Sequence, residues 1–156
     1  MDENAKTNLN LYINPSKTFE SLNKSDVFKE IIEEVLKETS FDLNGEEVLN
    51  EILKREALST TGFGNGFAIP HGKSTELHTP LVVLIKTDEH IEWEAMDDQP
   101  VSIIFLLIVP KENGDTIHLK LLSKLSYHLM DKEIQEAIKQ ADTKIELEEI
   151  VERIIK

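Results

Sequence analysis

The chain contains no cysteine, and this absence excludes disulfide bonds, thiolate metal sites and cysteine nucleophiles. Long apolar runs are lacking as well. The longest, Ile103–Val109, is far shorter than the roughly 20 residues that a bilayer-spanning helix needs. The N-terminal residues Met1–Asn4 are acidic overall and have none of the apolar character of a signal peptide. We therefore expect a cytoplasmic protein with no direct membrane insertion.

Basic residues are scarce relative to acidic ones. The chain has 17 Lys and Arg against 30 Asp and Glu, which gives a formal net charge of −13. Such a surface as a whole disfavours nucleic acid and anionic membranes as partners, and it suits a basic protein. The same charge can serve solubility alone, so both explanations stand.

The length and the two most apolar stretches predict a fold class. At 156 residues we expect one domain, residues 1–156. Leu81–Ile85 and Val101–Val109 are apolar runs without polar alternation, which is typical of strands covered on both faces. We therefore predict helices on both sides of a central sheet. Shorter strands are predicted around Leu9–Ile13 and at Ile91–Glu94.

Amphipathic patterns with capping residues predict the helices. One precedes the glycine-rich stretch described below and is expected to end near Leu58, after Arg55 and Glu56. A second helix is predicted nearer the N-terminus, and three more are predicted in the last third of the chain. The predicted N-caps, in order, are Ser25, Asn44, Thr116, Asp131 and Thr143.

The stretch Ser59–Gly72 is the most unusual part of the sequence. It holds four of the six glycines and a proline directly before His71. Glycine permits positive φ or close approach of the backbone, and proline fixes φ, so we expect this backbone to present His71 for chemistry. Arg55 precedes it at a helix C-terminus, where a cation is favoured electrostatically. Capping and a functional role are both open for Arg55.

Three interpretations of His71 remain open from the residues alone. It can be a nucleophile, with one ring nitrogen free and a phosphoryl group stabilised by backbone N–H groups and Arg55. It can be a metal ligand with His78 and His118, although no metal-binding spacing supports this. It can also be a structural residue that finishes a turn. His118 is a candidate companion because it lies just beyond the carboxyl end of the Val101–Val109 strand.

The residues resemble a known family. Arg55-Glu56 followed by Ser59–Gly72 resembles the active-site signature of enzyme IIA domains of the phosphotransferase system (PTS), fructose–mannitol type (EIIA type-2). The resemblance covers roughly residues 44–155 and includes His118. One departure is Asp98, at a position where the family often carries glycine.

The resemblance implies a mixed, mainly parallel β-sheet flanked by helices on both faces. It implies that His71 accepts a phosphoryl group from the histidine-containing phosphocarrier protein (HPr) and passes it to enzyme IIB for sugar uptake. His118 and Arg55 would line the site, and no cofactor or metal would be needed. Phe63 and Phe67 are candidates for partner contacts or for core packing.

The resemblance also bears on the role of the chain as a whole. Without a bilayer-length segment or a cysteine, we expect a free-standing IIA protein or an excised domain that does not itself bind sugar. Association with a membrane IIC subunit is compatible with this role. The alternative is a regulatory, nitrogen-type IIA protein that signals its phosphorylation state to protein partners.

Overall fold

The structure, a computed structural model, describes residues 9–112 and 114–155. The predictions on Met1–Asn4 therefore lie outside the described residues, and the extent of the domain, residues 1–156, stays a prediction. The elements, in chain order, are β1 Asn10–Asn14, α1 Lys24–Glu38, α2 Gly45–Leu58, β2 Gly62–Gly64, β3 Phe67–Ala68, β4 His71–Ser74, β5 Leu81–Ile91, β6 Val101–Pro110, α3 Gly114–Leu129, α4 Lys132–Gln140 and α5 Lys144–Ile155.

The strands form one mixed sheet in the order β1-β5-β6-β3-β2, with β4 also paired to β6. β1 is parallel to β5, and both β3 and β4 are parallel to β6. The pairs β5–β6 and β2–β3 are antiparallel. Three of the five pairings among the described residues are thus parallel. This confirms the predicted class, a mixed, mainly parallel sheet.

Both faces of the sheet are covered, because the paired central stretches Leu81–Ile85 and Ile103–Val109 are apolar on both sides. Alternate side chains such as Val83 and Leu106 pack with α1 and α2 in one hydrophobic cluster. Their neighbours Leu84 and Phe105 pack with α3, α4 and α5 in a second cluster on the opposite face. The unbroken apolar runs therefore indicated the layer arrangement correctly.

The predicted helix starts are right at three of five positions. Asn44 accepts a hydrogen bond from the Glu47 N–H, and Asp131 caps α4 in the same way. Thr143 and Glu146 exchange hydrogen bonds at the start of α5, which is a capping box. Ser25 is wrong, because the Asn23 side chain accepts from the N–H groups at the start of α1. Thr116 is also wrong, since α3 already begins at Gly114.

Two strand boundaries also differ from the prediction. β5 continues past the apolar run, through the polar residues 86–90, to Ile91. Its pairing with β6 is irregular between Lys86 and Ile91 and resumes where Ile91 lies opposite Val101. The separate strand predicted at Ile91–Glu94 is therefore wrong: Ile91 closes β5, and the next three residues are outside any strand.

The order of pairing along β6 sets the position of the candidate site. β3 pairs with the first half of β6, at Ile103 and Ile104, and β4 pairs with its second half, where His71 lies opposite Leu107. β6 ends at Pro110, and α3 begins at Gly114. His71 is thus held near the carboxyl end of β6, close to the first turn of the helix that follows.

Candidate functional site

His71 begins β4 and is buried, with 8% of its surface exposed. The chain leading to it is fixed by two backbone hydrogen bonds: Ile69 N–H donates to the Thr61 carbonyl at 3.0 Å, and Leu107 N–H donates to the Pro70 carbonyl at 2.9 Å. The imidazole is therefore part of the sheet edge rather than of a mobile loop. Its direction is set by strand pairing.

His118 lies beside His71 at the start of α3. The two ring centroids are 4.7 Å apart, and the rings are tilted by 50°. The two histidines are close because β4, which begins at His71, pairs with the end of β6, and His118 lies near the start of α3, the helix that follows β6. The structure thus brings together two histidines that are 47 positions apart in the sequence.

Arg55 approaches the same imidazole from the last turn of α2. Its Nη1 donates to the Ser59 carbonyl at 2.8 Å and to Ser59 Oγ at 3.3 Å, so the guanidinium does cap the helix C-terminus. The approach of α2 to β4 requires Gly72, where an added Cβ would meet Ile52 Cγ1 at 2.8 Å. A side chain at this position would push α2, and Arg55 with it, away from the strand.

Two hollows meet at His71 and Arg55. The first, of about 230 Å³, is also bordered by Lys54, Lys73 and His118. The second, also of about 230 Å³, is mostly apolar and is lined further by Phe63, Leu122 and Met130, among others. His71 thus borders two hollows with largely apolar linings, and the first of them also contains the charged side chains of Lys54, Lys73 and Glu51.

The surroundings of His71 keep its imidazole neutral. The pKa of His71 is lowered from its ordinary 6.5 to about 4, chiefly by burial and then by the nearby His118 and Arg55. The backbone of Ile69 and Pro70 acts in the opposite sense but more weakly. Nδ1 is buried without a well-formed hydrogen bond to the described residues. A neutral imidazole has a lone pair available for nucleophilic attack at neutral pH.

The other candidate residues differ in their exposure to solvent and in their distance from the site. Phe67 is fully buried in the core, whereas Phe63 is half-buried and lines the apolar hollow. His78 and His90 are exposed. Within residues 9–112 and 114–155, no group of three or more His, Cys, Asp or Glu is arranged to hold a metal ion.

The glycine-rich stretch has a structural role that its sequence could have revealed. Asn65 and Gly66 form the two-residue turn of the β2–β3 hairpin with φ of 57° and 88°, and Gly64 has φ of 117°. Asn-Gly is the preferred pair for such a turn, so the dipeptide is the sequence signal for this hairpin. An added Cβ at Gly62 would meet the Trp93 ring at 2.9 Å. These three glycines therefore shape the hairpin, and only Gly72 borders His71 directly.

The fold and the site belong to a recognisable class, an α/β protein with a buried histidine at the edge of a mixed sheet. The family profile described as "Phosphoenolpyruvate-dependent sugar phosphotransferase system, EIIA 2" matches residues 13–154. The chain belongs to this family, as a component of the EIIA type.

Sequence relatives carry two different descriptions. A fructose-specific EIIA component of the PTS from Haloferax volcanii is 35% identical over 107 residues, which is 69% of each chain. A nitrogen regulatory protein from Klebsiella oxytoca is 40% identical over 123 residues, covering 78% of this chain and 75% of the relative. Family membership is therefore common to sugar-specific and regulatory proteins.

Solved structures agree on the fold. Nitrogen regulatory protein IIA-Ntr from Neisseria meningitidis superposes with a TM-score of 0.73 at 30% identity and covers 93% of both chains. Enzyme IIAMtl from Escherichia coli, solved in complex with phosphorylated enzyme IIBMtl, superposes with a TM-score of 0.66 at 18% identity, over 90% of this chain and 92% of that one. The second likeness bears on the fold alone.

Within the described ranges, none of the helices has the length and apolar character needed to cross a bilayer.

Proposed function

We propose that this protein is a phosphoryl carrier of the phosphoenolpyruvate-dependent sugar PTS. His71 accepts the phosphoryl group from HPr and passes it to an enzyme IIB. The observation that carries the proposal is the arrangement around His71: a neutral, buried imidazole with His118 at 4.7 Å and Arg55 on the border of the same hollow. The proposed location is the cytoplasm, where a phosphoenolpyruvate-fed relay would operate.

The residues suit phosphoryl transfer between two imidazoles. The lone pair of a His71 ring nitrogen forms a new P–N bond while the P–N bond to the donor imidazole breaks, and the donor keeps that electron pair. The other nitrogen of each ring retains its proton, so the step needs no net proton transfer. Because Nδ1 of His71 is buried, we assign the attack to Nε2. Arg55, His118 and the nearby lysines would stabilise the charge on the transferring group.

The surface around the two hollows supports docking of partner proteins. Leu58 in the first hollow is 81% exposed, and Met130 in the second is 66% exposed. Leu119, next to His118, is 63% exposed. Exposed apolar side chains grouped around a reactive residue are typical of interaction sites. HPr and IIB are the proposed occupants, and an associated IIC subunit would reach this protein through IIB.

Phosphorylation by purified enzymes tests the proposal. Phosphoenolpyruvate, enzyme I and HPr should convert the protein to an acid-labile, base-stable phosphoprotein. His71→Ala should take up no label, while His118→Ala should be labelled more slowly. Label that persists in His71→Ala would contradict the assignment.

A regulatory role is the second candidate, and a specific observation favours it. The relative at 40% identity and the structure with a TM-score of 0.73 are both described as nitrogen regulatory proteins. The two roles differ in the acceptor. Transfer of label from the phosphoprotein to a IIB subunit, with sugar phosphate formed on adding IIC, supports transport. Binding of a regulatory protein that depends on phosphorylation of His71, without sugar phosphate, supports regulation.

A further inference from the structure

Four residues form a closed ring of polar contacts behind the candidate site, here called the Glu56 ring: Lys24, Glu56, Thr61 and Trp93. Lys24 Nζ donates to Glu56 Oε2 at 3.0 Å and to the Trp93 carbonyl at 3.1 Å. Trp93 Nε1 donates to Thr61 Oγ1 at 3.3 Å, and the Thr61 hydroxyl donates to Glu56 Oε1. The contacts therefore run from Lys24 to Glu56, on to Thr61 and Trp93, and back to Lys24.

The ring lies almost entirely inside the protein. Trp93 is fully buried, the Glu56 side chain is 6% exposed and Thr61 is 7% exposed, while the Lys24 side chain is 23% exposed. Removing a carboxylate from water is costly, and a well-packed apolar side chain at this position could stabilise the fold equally well. What directional contacts add is a fixed geometry between the segments that they join.

The segments that the ring joins are the ones that build the candidate site. Glu56 follows Arg55 in the last turn of α2, and Thr61 borders the apolar hollow with Arg55 and His71. The Thr61 carbonyl also accepts from Ile69 N–H, two residues before His71. One residue of the ring is therefore adjacent to the guanidinium, and another supports the strand that carries the imidazole.

Two contacts close the same short link between α2 and β2. Arg55 Nη1 bonds Ser59 at its carbonyl and hydroxyl, and the next residue, Glu56, bonds Thr61. Only four residues separate Glu56 from Thr61. Loss of the Glu56–Thr61 hydrogen bond would therefore allow Ser59, the residue to which Arg55 is bonded, to move. The Ser59 anchor, and with it the guanidinium, would then shift relative to His71.

We infer that Glu56 and Thr61 are positioning residues for phosphoryl transfer, which hold Arg55 in place beside His71. This inference rests on the proposed function. Neither residue needs to contact the phosphoryl group; both act through the guanidinium.

Substitution of Thr61 separates positioning from stability. Thr61→Val removes the hydroxyl at nearly constant shape, and Thr61→Ser restores it. Thr75→Val is a matched control, because Thr75 bonds another glutamate of α2, Glu47, at 3.1 Å on the exposed surface. The rate of His71 phosphorylation by phosphoramidate, which needs no partner protein, is measured on samples whose folding is checked by circular dichroism.

We expect the rate constant for phosphorylation of Thr61→Val to be about tenfold lower than that of the native protein. Thr61→Ser and Thr75→Val should stay within about twofold of the native rate. A folded Thr61→Val with the native rate would overturn the inference. If Thr61→Val does not fold, Glu56→Gln replaces it, since an amide of the same shape loses the charge-assisted bonds of the ring. A native rate in folded Glu56→Gln would also overturn it.

A double substitution tests whether the effect passes through Arg55. In an Arg55→Met background, adding Thr61→Val should cause little further loss, because the group that it positions is already gone. Rate losses that multiply would show that Thr61 acts independently of Arg55 and would overturn the inference. Failure of the proposed function would look different: the native protein itself would then take no phosphoryl group on His71.

Discussion

Acidification should destabilise this protein through His71, well before its carboxylates are protonated. The pKa of His71 is about 4 in the folded protein, lowered from 6.5 chiefly by burial and then by His118 and Arg55. As the pH falls below 6.5, the unfolded chain binds a proton at this residue that the folded protein does not bind. Stability is therefore lost between the two pKa values and is retained above the higher one.

The size of the effect follows from these two pKa values. At pH 7 the unfolded state is protonated only in part, and the cost is about 0.2 kcal/mol. At pH 5 it is almost fully protonated while the folded state is not, and the cost rises to about 2 kcal/mol. The expected loss from pH 7 to pH 5 is thus about 2 kcal/mol, a large part of the roughly 5–15 kcal/mol that stabilises a typical domain.

Urea unfolding at pH 7 and pH 5 measures this loss. The native protein is compared with His71→Gln, in which no imidazole titrates at this position, and with His78→Gln, which removes an exposed histidine. We expect His71→Gln to lose about 2 kcal/mol less than the native protein over this range, and His78→Gln to behave like the native protein. Carboxylates with lowered pKa, such as Glu34 and Glu146, act only at more acidic pH.

An equal loss in the native protein and in His71→Gln would refute the reasoning. It would mean that His71 is protonated as readily in the folded protein as in the unfolded chain. Burial and the neighbouring cations would then not be what keeps the His71 imidazole neutral.

Three further predictions concern single substitutions. His118→Gln should raise the pKa of His71, measured by NMR titration, because the second imidazole disfavours protonation of the first; an unchanged or lower pKa would contradict this. Gly72→Ala should destabilise the protein by about 1–3 kcal/mol in urea unfolding, because its Cβ would overlap Ile52; native stability would show that α2 has room to move. Asp98→Gly should stabilise it by about 0.5 kcal/mol, since Asp98 has a positive φ of 60°; a lower melting temperature would oppose this account.

Asp98 has a backbone conformation that glycine would suit. The residue lies in the left-handed region, which glycine adopts without steric cost. Aspartate tolerates the same conformation better than most residues do. The difference therefore concerns stability rather than the site.

Local pattern predicted most of the elements, because apolar periodicity and capping are properties of neighbouring residues. Boundaries were less certain. At the start of α1, Asn23 and Ser25 are both good N-caps, and only the chain path selects Asn23. For β5, pairing with β6 resumes at Ile91 after an irregular polar segment that has no strand pattern of its own.

The sequence by itself determined that His71 is presented by a constrained backbone and that both faces of the sheet are covered, since proline, glycine and unbroken apolar runs act locally. Tertiary structure decided what surrounds the imidazole. The pairing of His71 with Leu107 brings His118 to it, and the contact of Gly72 with α2 brings Arg55. Both depend on residues far apart in the chain, whose distances follow from strand register and helix packing. The lowered pKa of His71 has the same origin, because burial is a property of the assembled fold.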